Sequence, residues 1–347
     1  MTPQIAFAVP GDIRTLTGGY LYDFNLMTAL SGLGPPIQHM AWGDSFPQPS
    51  ADHADAALAQ LQALPPDCPA LVDGLAYGAL DTDGLRRVRA PLFALVHHPL
   101  ALEPGLDAAQ ARDMARREQA NLDLARHIFV TSPHTGDLLH QSYGVSVDRI
   151  TVVRPGFGPP VQGGAAKADP PLILSVGLLT QRKGHDVLLR ALAQIADLNW
   201  QADIVGRDHE PSMTARLTAL IDDLDLAPRV RLSGEVSSAA LQARYCSATL
   251  FALATRYEGY GIVFGEAMGH GLPIISTRAG AVPETVGAEA GLLVAPDDAD
   301  AFATALRRML SEPALRDTCA RASLRAASDL ATWADSAVLV RDAMVLP

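Results

Sequence analysis

Residues 256–273 read RYEGYGIVFGEAMGHGLP, and no other stretch of the chain constrains its fold as tightly. The apolar run ATLFAL stands before it and PIIST after it, so the local order is strand, loop, helix, strand. Glu258 then falls in the loop, Gly259 and Gly261 at the helix entrance, and Glu266 inside the helix. Backbone N–H groups at such an entrance lack intrahelical partners and attract oxygen-rich ligands. Glu266 lies among Val263, Phe264, Ala267 and Met268, where an ionised carboxylate is costly to bury unless something donates hydrogen bonds to it. Vicinal hydroxyl groups would serve. The glycines do not fit a dinucleotide loop, because G-x-G-x-x-G is broken and no acidic residue follows at the required distance.

Outward from this segment, short apolar runs alternate with amphipathic stretches, the pattern of strands joined by crossover helices in parallel sheets. In the first half the expected strands are QIAFAV, ALVDG, PLFALV, HIFVTS and ITVVRP, with helices from Asp107 to Ala125 and from Pro133 to Tyr143. The stretch Pro155 to Pro171, PGFGPPVQGGAAKADPP, sustains neither periodicity and reads as a linker between domains. The pattern restarts with LILSVG and a helix from Gly184 to Asp197 whose Leu188, Leu192 and Ile195 share one face. QADIVG, RVRLSG, ATLFAL, PIIST and GLLVAP continue it, and helical stretches run from Ala299 to Leu310 and from Glu312 onward. The expectation is two Rossmann-like, doubly wound α/β domains, 1–160 and 172–325, facing a cleft at the carboxyl ends of their strands, with 326–347 as a terminal helix.

Bulk properties narrow the function classes. At 347 residues the chain exceeds one ordinary core, and 48% apolar against 19% charged residues supplies enough material for buried sheets. A formal charge of −11 argues against a nucleic-acid partner, which requires basic surface. Arg86, Arg87 and Arg89, and Arg112, Arg116 and Arg117, read as solvated surface groups. Cys68, Cys246 and Cys319 are odd in number and lack C-x-x-C spacing, which speaks against a disulfide framework or zinc site and fits a reducing cytoplasm. No basic leader precedes the first apolar run and no window of membrane-spanning length is free of charges and turn formers, so a cytoplasmic protein without a transmembrane segment is expected, with peripheral membrane contact left open. Asp81 and Asp83 in LDTDG read as a turn and Asp222, Asp223 and Asp225 as a solvated helix end, so no metal is assigned.

EGYGIVFGEAMGHGLPIISTRAGAVPE, residues 258–284, resembles the signature of retaining glycosyltransferase family 4, in which two glutamates flank seven residues and a G-x-P turn follows. The resemblance covers about Leu172 to Pro296 well and the first half more thinly, through Gly18, Gly19, His97 and VTSPHTGDLL. It implies the GT-B fold and a metal-independent, retaining transfer of a hexosyl unit from a nucleotide-diphosphate sugar to a hydroxyl acceptor, without a cofactor. In GLLTQRKG, residues 177–184, the chain keeps the Gly177, Lys183 and Gly184 of the family pattern but carries Leu178 where an arginine is usual. Arg182 is assigned as its substitute. The resemblance further implies that Arg182 and Lys183 contact the donor diphosphate, that Gly18 and Gly19 face it, and that His97 positions the transferred sugar, with His98 held in reserve. Glu258, with the N–H groups of Gly259, Tyr260 and Gly261, would hold sugar hydroxyls, Glu266 the ribose, and Val236 and Ile262 the base; Tyr20 and Tyr22 are placed on the acceptor side. Donor base, acceptor and oligomeric state stay open. So do a nucleotide-sugar epimerase, a sugar phosphorylase, or a noncatalytic nucleotide-sugar-binding subunit on the same fold.

Overall fold

The structure is a computed structural model that describes residues 5–34, 36–103, 105–161, 166–210 and 212–345. It divides into two compact units: one runs to Gly156 and resumes at Ala331, the other spans Phe157–Leu330. The first contains β1 (Ile5–Pro10), β2 (Ile37–Trp42), β3 (Ala70–Asp73), β4 (Leu92–Val96), β5 (His127–Val130) and β6 (Ile150–Val152). All pair in parallel, in the order β2-β1-β3-β4-β5-β6. Crossover helices cover both faces of such a sheet, so β1, β3 and β4 are buried at every position, as their unbroken apolar runs require. On one face Phe93 and Phe129 stack, with ring centroids 6.2 Å apart. Strand β2 is the one the apolar-run reading passes over. Its IQHMAW is interrupted by Gln38 and His39 because it is an edge strand, with only Met40 and Trp42 buried.

The second unit contains β7 (Leu172–Val176), β8 (Gln201–Val205), β9 (Val230–Gly234), β10 (Leu250–Ala252), β11 (Ile274–Thr277) and β12 (Gly291–Val294), in the parallel order β12-β11-β10-β7-β8-β9. The two-residue period of its strands sorts side chains into two cores. Ile173, Ile204 and Ala252 face one, beneath the helices His185–Ala193 and Ala299–Ser311; Leu174, Val205 and Phe251 face the other, beneath Ile262–Gly269. Leu188, Leu192 and Ile195 are all fully buried, in keeping with their shared face.

Two details differ from the sequence reading. The stretch Pro155–Pro171, of which residues 162–165 lie outside the described residues, is no free spacer. From Phe157 its described part lies on the second unit, where Val161 N–H donates to Gly269 O (2.8 Å) and Ala168 N–H to Ser247 O (2.9 Å). The Asp81/Asp83 segment is not simply a loop, since Asp81 caps a short helix, Thr82–Arg86, by accepting from Gly84 N–H. The chain's return to the first unit is anchored there by the helix Trp333–Val345 against the helix Gly18–Ser31, where the Trp333 and Tyr22 rings meet edge to face at 5.2 Å. Ser336 donates to Arg154 O at 2.7 Å in the same place.

In each sheet the connections reverse direction once, between β1 and β3 and between β7 and β10, and the crossovers diverge there. After β7 the chain makes a single turn, Gln181–Lys183, that ends at Gly184 with φ +65°. A Cβ on Gly184 would stand 1.9 Å from Ala254 O, just beyond β10, so only glycine lets this turn approach that strand end. Gly184→Ala is expected to cost about 3 kcal/mol in urea denaturation, through the left-handed backbone and the backbone clash together. A loss below about 0.5 kcal/mol would show that the turn can move away freely.

Candidate functional site

The close approach at Gly184 brings Lys183, which follows β7, beside Glu258, which follows β10. Lys183 Nζ donates to Glu258 Oε1 at 2.7 Å, and Arg182 Nη1 approaches Glu258 Oε2 at 3.4 Å. Thr255 Oγ1 donates to Oε1 at 2.9 Å. Glu258 and Lys183 are 4% and 8% exposed, so both charges have left water and depend on each other. Burial pushes the Glu258 carboxyl up, but the Lys183 and Arg182 charges and the hydrogen bonds from Lys183 and Thr255 outweigh it and hold the group below the usual carboxylate range. Burial also lowers the Lys183 ammonium, against the pull of Glu258. The short Nζ–Oε1 contact and the second cation mark the pair as ionic.

The backbone around this pair is fixed from several sides. Glu258 O accepts from Ala281 N–H at 2.9 Å, and Gly280 passes so close that a Cβ there would lie 2.3 Å from the same oxygen. Arg182 O accepts from Arg256 N–H at 2.8 Å, while Arg182 Nη1 donates to Tyr257 O at 2.8 Å. Arg256, which begins the diagnostic segment, clasps both oxygens of Asp186 at 3.0 Å and adds Asp297 Oδ1 at 2.7 Å. These contacts tie the turn Gln181–Lys183 to the end of β10. The resemblance implies that Arg182 and Lys183 contact a donor diphosphate; in the structure the anion facing both is Glu258.

Glu266 sits one helical stretch further on, in Ile262–Gly269, whose entrance is Gly261 at φ +86°. Tyr245, fully buried, donates its hydroxyl to Glu266 Oε2 at 2.8 Å and stacks on His270 at 5.0 Å; His270 in turn bonds Glu266 O and Gln242. Burial raises the Glu266 carboxyl while the Tyr245 hydrogen bond lowers it, with a net upward shift. Gly177 lies under the Lys183 side chain, 3.2 Å from its Cδ on a Cβ position. Leu178 is half-buried, and its carbonyl accepts from His185, an imidazole that burial lowers to about 4 and so keeps neutral. Val236 and Ile262 are both half-buried, Val236 against the core beneath that helix. Phe157 lies against Gly265 and stacks with Tyr260 at 6.4 Å.

In the first unit, His97 follows β4 and meets two carboxylates that the sequence reading did not single out. Its Nε2 lies 3.0 Å from Asp23 Oδ1 and 3.3 Å from Asp73 Oδ2. Asp73 ends β3 and caps the turn Gly74–Tyr77, whereas Asp23 comes from the helix that Gly18 and Gly19 open. The signal for Asp73 was present, since it ends the run ALVD as His97 follows LFALV; Asp23 was visible only as the residue four after Gly19. Tyr22 packs inward and does not face solvent. It is 1% exposed, donates to Val153 O at 2.7 Å and presents its ring to His97 edge to face at 5.1 Å. His98 pairs with Glu103 at 2.6 Å.

Residues 162–325 match the family Glycosyl transferases group 1. Over 249 residues the chain is 29% identical to the D-inositol 3-phosphate glycosyltransferase of Thermobifida fusca, covering 65% of this chain and 56% of that one. Over 254 residues it is 30% identical to the MMP alpha-(1->4)-mannosyltransferase of Mycolicibacterium hassiacum, covering 64% and 57%. It thus spans under two thirds of the length of these relatives. Its structure superposes on sucrose-phosphate synthase from Thermosynechococcus elongatus with a TM-score of 0.83, 22% identity and 98% of each chain covered. Anabaena HepE, in complex with UDP-glucose, gives 0.72 at 17% identity over 98% of each chain. The fold is therefore of the GT-B type. Among the described residues no helix is long and apolar enough to cross a membrane.

Lys183→Met strands Glu258 with one distant cation and should cost about 3 kcal/mol at neutral pH. Because the folded carboxyl lies below its ordinary 4.5, the pair's contribution is present above that value and disappears as pH falls through the folded value. The wild-type and variant stabilities should accordingly converge as pH falls through that folded value in denaturation curves; a gap that stays constant with pH would deny the ionic pair.

Proposed function

The chain carries a glycosyl transferases group 1 domain, and from that premise we propose that it transfers a hexosyl unit, with retention of anomeric configuration, from a nucleotide-diphosphate sugar to a hydroxyl acceptor. The observation that carries this reading is the Lys183–Glu258–Arg182 cluster at the strand reversal between β7 and β10, where an open α/β sheet receives its ligands. Curated relatives named as glycosyltransferases and a solved neighbour in complex with UDP-glucose support the same class of donor.

Lys183 and Arg182 supply positive charge where the diphosphate would depart, and Glu258 fixes the direction of both. Charge aimed in advance at a leaving group is the largest single source of rate in many enzymes, because it needs no rearrangement as the reaction proceeds. Arg182 takes the place of the arginine that Leu178 lacks; its guanidinium uses Nη1 on Tyr257 O and Glu258 and keeps its other N–H groups. Glu258 Oε2, whose contact to Arg182 is long at 3.4 Å, keeps acceptor capacity for a sugar hydroxyl. Glu266, preset by Tyr245, takes the ribose hydroxyls, and His97 is assigned to the positioning of the sugar. Attack on the sugar face that the diphosphate leaves, with the diphosphate accepting the acceptor's proton, retains configuration and asks only orientation and electrostatics of these residues.

A thermal-shift panel of UDP, GDP, ADP and dTDP tests the donor site. One of them, at a hundred times its dissociation constant, should add about 2.7 kcal/mol of apparent stability. With the matching nucleotide sugar, Glu258→Gln should lower transfer about 100-fold while the far-ultraviolet circular dichroism is unchanged. No shift with any nucleotide, or full turnover in Glu258→Gln, would refute the assignment.

A further inference from the structure

We propose that Asp23 and Asp73 are positioning residues for His97: the two carboxylates share its Nε2–H, hold the ring as an imidazolium, and leave Nδ1 as a hydrogen-bond donor to the transferred sugar. The proposal rests on the transferase reading above and assigns work to two residues which that reading leaves idle.

Three separate elements converge on one nitrogen. Asp23 comes from the helix Gly18–Ser31, Asp73 from the end of β3, and His97 from the residue after β4. Both carboxylates are within 3.3 Å of Nε2, and their side chains are 1% and 2% exposed against 17% for the imidazole. Only the imidazole therefore reaches out of the cluster. Asp73 is held by a second bond, accepting from Leu75 N–H through Oδ1 at 2.9 Å, which aims Oδ2 at the ring. Among the described residues Asp23 Oδ2 is buried without a hydrogen-bond partner, a costly arrangement for a carboxylate unless a cation stands at its other oxygen. The Tyr22 ring closes one side of the imidazole, its hydroxyl committed to Val153 O, and His98 beside it is engaged with Glu103.

Proton bookkeeping then fixes the role of Nδ1. A neutral ring donating through Nε2 would offer Nδ1 as an acceptor only; a charged ring donates from both nitrogens. Burial alone would lower the imidazole, but the charges and hydrogen bonds of Asp23 and Asp73 prevail and raise it to about 10. Burial, with Asp73 close by, pushes Asp23 up to about 7. A folded value above the ordinary 6.5 means that the imidazolium persists through the neutral range and is lost only as pH rises through the folded value. A sugar hydroxyl oxygen presented to the ring would meet a charge-assisted donor, stronger than a neutral one.

Histidine-selective isotope labelling of the whole chain, with His97 assigned by comparison with His97→Gln, reads the ring state without requiring turnover. In the wild type, His97 should keep imidazolium nitrogen shifts at pH 8. Asp73→Asn, and separately Asp23→Asn, should lower its midpoint by about 1–2 pH units. In transfer assays the alkaline fall of kcat should move down by the same about 1–2 pH units in each variant, with the donor KM little changed and kcat near the wild-type value at pH 6. If Asp73→Asn does not fold, because that residue also caps a turn, Asp23→Asn carries the same test. A wild-type midpoint near the ordinary histidine value, or a loss of kcat that does not depend on pH, would overturn the proposal. Asp23, Asp73 and His97 each offer one oxygen or nitrogen within 4.8 Å of the others, so a shift of the His97 signals on adding Mn2+ or Zn2+ to chelator-treated protein would also overturn it, by showing a cation site instead. A charged ring in a chain that transfers no sugar would retire the transferase reading, and the catalytic role of Nδ1 with it, while leaving the ring geometry intact.

Discussion

A parallel sheet can join neighbouring strands only by crossovers, and wherever the strand order reverses, two crossovers leave the sheet in opposite directions. The space left at the carboxyl ends cannot be filled by either helix. Each unit has one such reversal, and side chains that carry charge into the interior gather there: Asp23 and Asp73 at the first, with His97 reaching them from the neighbouring β4, and Lys183 and Glu258 at the second. The apolar strands bring these groups to their places, and the reversal keeps the places open.

Charges in such a position have to be matched. An unpaired ion below the surface costs several kcal/mol, so each cluster is built from groups of both signs. Lys183 and Arg182 face Glu258, while His97 faces Asp23 and Asp73. Neither arrangement is a bargain for stability, since apolar residues of similar volume would do as well or better. What they provide is direction: a lysine and an arginine that cannot swing away, and a histidine with one nitrogen committed. The backbone clasps around Arg256, Gly184 and Gly280 serve the same end, because preset charge loses its advantage if the loop carrying it must be reordered.

Much of the fold was legible because buried parallel strands write themselves as continuous apolar runs. ALVD, LFALV, LILSV and IIST could hardly be anything else, and Pro133–Tyr143 carries its own start signal in Ser132 and its stop in Gly144. Strand β2 escaped because an edge strand need bury only part of one face, which leaves no run to see. The site was legible in part. Glu258, Lys183 and His97 stand at strand ends, where a chemical group is expected. Tyr245 and Tyr22 do not; each lies within a helix, and only the packing shows that one holds Glu266 and the other braces His97.

The sequence by itself determined the class of architecture and the positions of the ionisable groups along each strand and loop, because hydrophobic period and turn chemistry are local properties. Which of those groups meet was decided by tertiary structure alone. Lys183 and Glu258 are separated by 75 residues, and Asp23 and His97 by 74; nothing local marks them as partners. They meet because strand order puts β10 beside β7, and β3 between β1 and β4. Burial then turns that proximity into an ion pair, since a charge removed from water is tolerated only where another charge or a hydrogen bond answers it.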